Sequence, residues 1–591
     1  MNRISFLFFF LFIAKFSFGQ NVTIATNGQT GISGTNWSIS NGILSVTGNA
    51  IINPSVISTQ LNNGSSLTIV AAGDIIVNND ILKTSGNDAT LTLKSNAKVN
   101  LNNSFISSSS NKLNLIVWVE ADGGGSYGGA IGSINTNGGH LWIGGGSGTT
   151  VWNGLTVGNG LSMSDGTSNW NGVDLFGNIS TLNGDVYIAA DKGNSENNPS
   201  IGALHDLTIN SGTGDISFIV RDPSSFSYQS KVIVLNSTGV LTIAPPSNEN
   251  WENDFIWDGT GTTNLTGTNS LNGLIINNQS NLSGLNIGTY LGTGISGDTA
   301  YIESNQKQID INEPLSINGN LNLVGGHIDL NQAISAVGYI KAIANGRVGI
   351  NASIETTGSN QDIYLKATNE INQAGAYTTE TNGGNIVYWA NSDGDTGNYN
   401  FIRPGSLVSN GGHVWLGGSL FNTATSTWNG LSVGSGYAYS SDWDAIALRA
   451  NIDTRSSSNS SIGGDVWIAG ESGTATSGDI ASEGGVRSIF AGNGDIALIT
   501  HSFVHQNTSN NQTDLNTTGQ ISIAPASGMD WHDSSFTFNY VLNGSWFEGS
   551  NNVDGVHINS FSNIGGLNLG TYNGTGVDGD TPYVASNANN M

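Results

Sequence analysis

Residues 67–143 contain four apolar triplets: LTI at 67–69, LTL at 91–93, LIV at 115–117 and LWI at 141–143. The triplets begin 24, 24 and 26 residues apart. Because side chains alternate along a β-strand, the outer two residues of each triplet point to one face. Gly, Asn, Asp and Ser, which favour turns, fill the segments between them. This pattern predicts the coils of a β-solenoid, in which each triplet stacks on the triplet of the preceding coil.

A second, longer repeat divides the chain into two similar halves. Residues 137–145 (NGGHLWIGG) return at 410–418 (NGGHVWLGG), and residues 284–290 (GLNIGTY) return at 566–572 (GLNLGTY). The offsets are 273 and 282 residues, so the sequence predicts two tandem copies of a unit of about 280 residues. The predicted units are 20–305 and 306–591, and we expect the second to continue beyond the end of this sequence.

Composition favours β-structure along the whole chain. There are 82 Gly residues, and each interior glycine costs an α-helix about 1 kcal/mol. After residue 19, no segment places apolar residues at i, i+3, i+4 and i+7. A string of immunoglobulin-like sandwiches is the alternative all-β architecture, but its natural period is about 100 residues. The observed periods of about 24 and about 280 residues favour a parallel β-solenoid.

The N-terminus has the pattern of a secretory signal peptide. Arg3 precedes the apolar run 4–14, and the small residues Ser17 and Gly19 precede the expected cleavage site. We therefore predict that residues 1–19 are removed and that the mature protein is secreted to the extracellular space or the cell surface. The apolar run is shorter than the roughly 20 residues that span a bilayer, and no later run approaches that length. With no Cys in the chain, lipid attachment to a cysteine and disulfide bonds are excluded.

Charge restricts the expected partners. The chain has 17 basic and 43 acidic residues, a formal net charge of -26. Nucleic acid is therefore not an expected partner, because its phosphates need a basic surface. A strongly acidic chain attracts divalent cations, although acidity also serves simply to keep a long secreted protein soluble.

Few residues form a candidate site in the sequence. Trp152, Trp170 and Trp428 each begin a Trp-Asn-Gly, and exposed aromatic rings in a row can stack on sugar rings. The alternative is that each Trp fills a wider coil beside a turn. His140 and His413 occupy equivalent places in the two repeats, but neither has Cys or carboxylate neighbours at metal-ligand spacing. We expect satisfied imidazoles there, and the sequence predicts no catalytic, cofactor or metal residues.

Three runs carry a family resemblance. Residues 138–145 (GGHLWIGG), 184–189 (GDVYIA) and 238–245 (TGVLTIAP) resemble segments of filamentous-haemagglutinin-like adhesins, especially the very large repeat proteins secreted by Bacteroidota. The resemblance implies a right-handed parallel β-helix that serves in attachment. The chain has Asn53-Pro54-Ser55 where the secretion domain of that family carries Asn-Pro-Asn-Gly, which argues against that family's export route.

Three functions follow as hypotheses. The first is an extracellular adhesin or stalk segment that projects a glycan-binding surface, with glycans, cell-surface components or further copies of the chain as partners. The second is a secreted β-helical polysaccharide lyase or hydrolase, which would need carboxylates and a basic residue on one outer face. The third is a structural surface-layer or matrix protein. No arginine of the mature chain lies with two or more carboxylates in a pattern that recurs at coil spacing, which disfavours the enzyme: Arg221, Arg347, Arg403, Arg449, Arg455 and Arg487.

Overall fold

The structure is a computed structural model. The predicted signal peptide, residues 1–19, lies outside the residues that it describes. The described residues are 20–26, 31–34, 37–46, 48–101, 104–124, 128–164, 171–193, 199–223, 226, 231–247, 249–257, 264–267, 274–277, 279–291, 305–397, 399–473, 478–501, 511–525, 531, 536–541, 544–549, 554–559 and 561–572.

The chain is an all-β parallel solenoid whose coils contribute strands to three faces, here called faces 1, 2 and 3 in the order in which a coil meets them. One parallel sheet forms face 1 along the whole described length. Its strands are Ile43–Val46, Leu67–Ala71, Ala89–Ser95, Leu113–Trp118, Leu141–Trp152, Val186–Asp191, Ile216–Val220, Val240–Ala244, Gly284–Ile287, Asn320–Gly325, Ile340–Ala344, Ile363–Ala367, Ile386–Trp389, Val414–Gly417, Val466–Ser472, Ile496–Thr500, Gln520–Ala524 and Gly566–Leu569.

Faces 2 and 3 each consist of two series of short parallel strands. The strands of face 2 are Val22–Ile24, Ala50–Ile52, Ile75–Val77, Val99–Asn100, Gly129–Ile131, Val173–Leu175 and Ile201–Ala203, then Phe255–Trp257, Ile309–Ile311, Ile328–Leu330, Val348–Ile350, Ile371–Gln373, Ile402–Arg403, Ile446–Leu448 and Ile480–Ser482. The strands of face 3 are Ile81–Lys83, Phe105–Ser108, Ser133–Asn135, Ile179–Ser180, Leu207–Gly212, Ile233–Ser237 and Leu274–Ile276, then Leu315–Ile317, Ile334–Ala336, Ile354–Ser359, Thr378–Asn382, Ser406–Val408, Ile452–Asp453, Val486–Gly492, Gln512–Thr517 and Asp554–Ile558.

The remaining elements are not part of the series of stacked parallel strands on the three faces. They include one α-helix, Pro54–Asn62, whose first turn is capped by the side chain of Asn53. The other described elements are the 3-10 helices Gln279–Asn281 and Phe561–Asn563 and the strands Ile32–Gly34, Trp37–Ser40, Leu155–Gly160, Ser162–Met163, Asn264–Gly267, Thr425–Trp428, Leu431–Gly434, Ala438–Ser440, Arg455–Ser456, Asn459–Gly463, Phe536–Val541 and Gly544–Gly549.

The four apolar triplets stack as the sequence predicts. Leu67 pairs with Leu91, Leu91 with Leu115 and Leu115 with Leu141, each on the next coil of face 1. All four side chains are buried in one continuous core that runs through the described coils. Their burial supplies the main stabilisation of the fold, because removal of apolar surface from water is the dominant favourable term in folding. The predicted all-β solenoid is therefore confirmed.

Coil length varies more than the first triplets indicate. Leu321 and its face-1 partner Ile340 are only 19 residues apart, whereas Val414 and its partner Val466 are 52 residues apart. The longest coils are long because they carry hairpins outside the parallel faces. The right-handed winding and the division into units 20–305 and 306–591 stay predictions.

Asparagine ladders join successive coils at the turns. Asn331 donates from its amide nitrogen to Oδ1 of Asn312 at 2.8 Å, and Asn351 donates to Oδ1 of Asn331 at 2.8 Å. Each amide therefore donates to the previous coil and accepts from the next. Such ladders satisfy polar groups along the rod without charge, as in cross-β stacks.

One carboxyl group on face 2 is buried. Asp174 is the middle residue of its strand and is 1% exposed. Burial raises its pKa to about 7, although hydrogen bonds from the side chain and backbone of Asn171 lower it. The folded chain therefore holds a proton on Asp174 under mildly acidic conditions.

Replacing Asp174 with Asn is expected to stabilise the protein at pH 8 and to leave it little changed at pH 4. An unfolded aspartate has a pKa of about 3.9, so between about pH 4 and pH 7 the folded state keeps a proton that the unfolded state loses. The free energy of unfolding of the unmodified chain therefore falls as pH rises. Above about pH 7 the full cost of burying the Asp174 carboxylate applies. Urea unfolding should show a gain on the order of 2–4 kcal/mol at pH 8. An equal gain from Glu355→Gln, which removes an exposed carboxylate, would contradict burial as the cause.

Candidate functional site

A β-hairpin covers the outer surface of face 1 in the first half of the chain. The end of the strand Leu141–Trp152 pairs antiparallel with Leu155–Gly160. The turn is Asn153-Gly154, and both residues have positive φ, 48° and 74°. Asn-Gly is the preferred pair for this two-residue turn, because Gly has no Cβ and Asn tolerates the left-handed region.

An equivalent hairpin lies in the second half. Thr425–Trp428 pairs antiparallel with Leu431–Gly434, and the turn Asn429-Gly430 has φ of 47° and 77°. The repeated Trp-Asn-Gly-Leu is therefore the signature of a hairpin turn. Each hairpin seals an aromatic cluster against the outer surface of face 1, separate from the core of the rod.

The predicted stacking residues lie in these sealed clusters. Trp152 is 3% exposed and Trp428 is 1% exposed, so neither ring presents a free face to a ligand. Each ring makes an edge contact with a histidine, His140 or His413, at 5.7 Å between centroids. Both tryptophans are therefore packed beside a turn, as the alternative interpretation predicts. The prediction that these two residues form an exposed sugar-stacking surface is wrong. Trp170 lies outside the described residues.

Both histidines accept a hydrogen bond at Nδ1 of the ring. Nδ1 of His140 accepts from the backbone N–H of Asp185 at 3.0 Å, and Asn153 at the hairpin turn donates to Oδ2 of Asp185 at 2.6 Å. Burial alone would raise the pKa of Asp185, but hydrogen bonds, first of all with His140, hold it below its ordinary value. This network fastens the tip of the hairpin to the rod.

The second hairpin is fastened in the same way. Nδ1 of His413 accepts from the backbone N–H of Asp465 at 2.9 Å, and Asn429 donates to Oδ2 of Asp465 at 2.8 Å. The repeated histidines therefore belong to hydrogen-bond networks that hold each hairpin against face 1. Among the described residues, no group of three His, Cys, Asp or Glu side chains is arranged to hold a metal ion.

Between the two covered regions, face 1 has an open groove of about 390 Å³. Asn322, Lys341 and Tyr364 line it and occupy the same outward position on three successive coils. Thr289 and Asp362 also line it, and they lie 73 residues apart in sequence. The groove therefore forms only when coils from distant parts of the chain are stacked.

The groove contains a broken asparagine ladder. Asn286 donates to Oγ1 of Thr242 at 3.0 Å, and Asn322 donates to Oδ1 of Asn286 at 2.9 Å. The next coil has Lys341 in place of a further Asn, and Oδ1 of Asn322 is buried with no hydrogen-bond partner among the described residues. A buried acceptor without a partner costs about 1–3 kcal/mol.

The other groups around Asn322 complete a polar and aromatic surface. The ammonium group of Lys341 lies 5.7 Å from the centre of the Tyr364 ring. Asp362, at the entrance to the same coil as Tyr364, accepts from the side chain of Asn385 at 3.0 Å. The groove thus offers a cation, a carboxylate and an aromatic ring within two adjacent coils. Sequence reasoning missed it, although the interruption of an Asn column by Lys341 is the signal that marks it.

The outer surface of face 2 carries a second polar cluster in the later coils. Arg347 and Glu370 hold equivalent positions on adjacent coils, as do Asn372 and Arg403. Arg449 reaches the same cluster and donates to Oδ1 of Asn372 at 2.7 Å. The sequence pattern, which has no arginine with two or more carboxylates at regular coil spacing, does not show this cluster. The spacings of 56 and 46 residues between these arginines hid the cluster, because the coils differ in length.

Comparison with known proteins found no matching family model, no matching curated protein and no matching solved structure. No helix in the described ranges has the length and apolar character that crossing a bilayer requires. The fold class therefore stands on the strand pairing of this chain, and the candidate site on the groove of face 1.

Proposed function

We propose that the chain is a segment of an extracellular adhesin or stalk, and that the groove on face 1 binds a glycan. The observation that carries the proposal is the groove itself, which Lys341, Asp362 and Tyr364 line together on adjacent coils. Sugar hydroxyls are both donors and acceptors, so they match a carboxylate beside an ammonium group. The signal-peptide pattern at residues 1–19 supports an extracellular location.

The rod supports the same proposal. A solenoid has neighbour-to-neighbour contacts only, so it can extend a binding surface away from a cell without a larger core. Tyr364 and Tyr339 offer ring faces beside the polar groups, and aromatic rings pack well on the apolar faces of sugars. The groove residues thus provide stacking and hydrogen bonding in one place.

Replacing Lys341 with Met is expected to weaken glycan binding roughly tenfold or more, because one charge-assisted hydrogen bond contributes about 1.5–3 kcal/mol. Lys366→Met is the matched control: Lys366 also lies over an aromatic ring on face 1, 4.5 Å from the centre of Trp389, but it does not line the groove. Binding is measured on an array of neutral hexose and N-acetylhexosamine oligosaccharides.

Equal loss of binding in Lys341→Met and Lys366→Met would contradict the assignment to the groove. No binding of the unmodified chain to any oligosaccharide on the array would contradict the glycan proposal itself. Ordered self-assembly in the absence of binding would then favour a surface-layer or matrix protein.

The second candidate function is a secreted polysaccharide lyase or hydrolase. It is favoured by the cluster on face 2, where Arg403 lies near Glu370 and Asp444. Such an enzyme needs carboxylates and an arginine on one outer face for acid–base catalysis. Incubation of the chain with polygalacturonate, followed by assay of new reducing ends, tests it. Release of new ends that is lost in Glu370→Gln would replace the adhesin proposal by an enzymatic one.

A further inference from the structure

Arg403 is a cation that forms no direct ion pair with any described residue. It follows Ile402 on a face-2 strand and points outward, and its Nε is buried without a hydrogen-bond partner. Its guanidinium lies over two rings, 4.4 Å from the centre of Phe401 and 5.2 Å from the centre of Trp443. Within the described part of the chain, no carboxylate lies within 4.0 Å of it.

Most of the other described arginines form an ion pair, and Arg487, which does not, donates instead to the backbone carbonyls of Glu483 and Gly484. For example, Arg347 pairs with Asp329 at 2.9 Å, and Arg449 pairs with Glu483 at 2.9 Å. The complete set of described arginine ion pairs is Arg221 with Asp191 and Glu249, Arg347 with Asp329, Arg449 with Glu483, and Arg455 with Asp453. Arg403 differs from these arginines and from Arg487 because no hydrogen bond or ion pair of its guanidinium is found among the described residues.

Desolvation makes the unpaired state costly. Burial and the nearby guanidinium of Arg449 lower the pKa of Arg403. A partly buried charge without a partner is destabilising, and residues of this kind concentrate at binding and catalytic sites. An anionic ligand group would remove the cost, and the planar fork of a guanidinium is well matched to a carboxylate.

Two neighbours complete the site. Trp443 is 50% exposed, so its ring has a free face beside the guanidinium. The carboxylate of Glu370 makes no hydrogen bond or ion pair with the described residues, and it lies close enough to Arg403 to interact electrostatically with it. The carboxylates of Glu483 and Asp329 are already neutralised by Arg449 and Arg347. The unpaired groups are therefore one cation, one acceptor and one aromatic ring.

We propose that this cluster, composed of Arg403, Trp443 and Glu370, binds an acidic sugar polymer of the uronate class. The sugar carboxylate pairs with the guanidinium of Arg403, a ring hydroxyl donates to Glu370, and the sugar ring stacks on Trp443. The site lies on face 2 and shares no residue with the groove on face 1. Binding of a uronate polymer at this site can therefore be tested independently of glycan binding in the groove.

Arg403→Gln is the decisive variant, with oligogalacturonate as the probe and neutral dextran of similar length as the reference. We expect the unmodified chain to bind oligogalacturonate and not dextran, and Arg403→Gln to weaken binding at least tenfold. Arg455→Gln is the matched control, because Arg455 also lies over a ring, 4.2 Å from the centre of Phe490, but is paired with Asp453. It should leave binding unchanged.

Thermal unfolding of the two variants separates a binding role from a structural one. Arg403→Gln should unfold at the same temperature as the unmodified chain or higher, because it removes an unpaired charge. A lower unfolding temperature together with lost binding would assign Arg403 a structural role and overturn the proposal. So would equal weakening by Arg455→Gln, the absence of oligogalacturonate binding, or binding of dextran sulfate in its place.

Discussion

Replacing Leu365 with Asp is expected to lower the free energy of unfolding by more than about 4 kcal/mol, the range reserved for buried charges and core disruption. Leu365 is fully buried on face 1, and its partners on adjacent coils are Ala342 and Tyr388. A carboxylate at this position would lose its hydration in the core, where the hydroxyl of the neighbouring Tyr388 is already hydrogen-bonded to Gln373. Because each coil contacts only its neighbours, the coils on both sides lose support as well.

Ser316→Asp provides the control for Leu365. Ser316 is the exposed middle residue of the strand Leu315–Ile317, so the same carboxylate remains in water. We expect a change within about 0.5 kcal/mol. Urea unfolding followed by circular dichroism gives the comparison, and hydrogen exchange shows which coils open. Similar losses in both variants would mean that the inward and outward positions are not distinguished as the strand pairing requires.

Trp415→Ala is expected to cost about 3–5 kcal/mol and to release the second hairpin. Trp415 is fully buried outside the rod core, 6.3 Å from Trp389 between ring centres. Its removal leaves a cavity beneath the hairpin Thr425–Trp428 and Leu431–Gly434. The inward residues of the same strand, Val414 and Leu416, belong to the separate core of the rod and should stay packed.

Limited proteolysis measures this effect directly. We expect rapid cleavage between residues 421 and 436 in Trp415→Ala, with the parallel strands on either side still protected. Trp443→Ala is the control, since that ring is half exposed and its loss should leave the hairpin resistant. If Trp415→Ala unfolds the whole rod in one transition, the hairpin cluster is not the independent layer that the two cores indicate.

Neither candidate site could be predicted from the sequence, because each combines residues from different coils of unequal length. The groove unites Thr289 with Asp362, and the cluster on face 2 unites Glu370 with Trp443. Coil lengths between 19 and 52 residues prevent a simple period from aligning such residues. The repeated Trp-Asn-Gly-Leu at Trp152 and Trp428 was visible in the sequence, but it marks a hairpin turn and not an exposed platform.

The all-β solenoid was determined by the sequence alone. Strand alternation and turn preference are local properties, so triplets such as 67–69 and 91–93 identify the inward positions before any neighbour is known. The burial of Trp152 and the unpaired states of Asn322 and Arg403 were decided only by the tertiary structure. Whether a polar group finds a partner depends on which residue of the next coil lies beside it, and insertions of unequal length fix that register only when the coils stack.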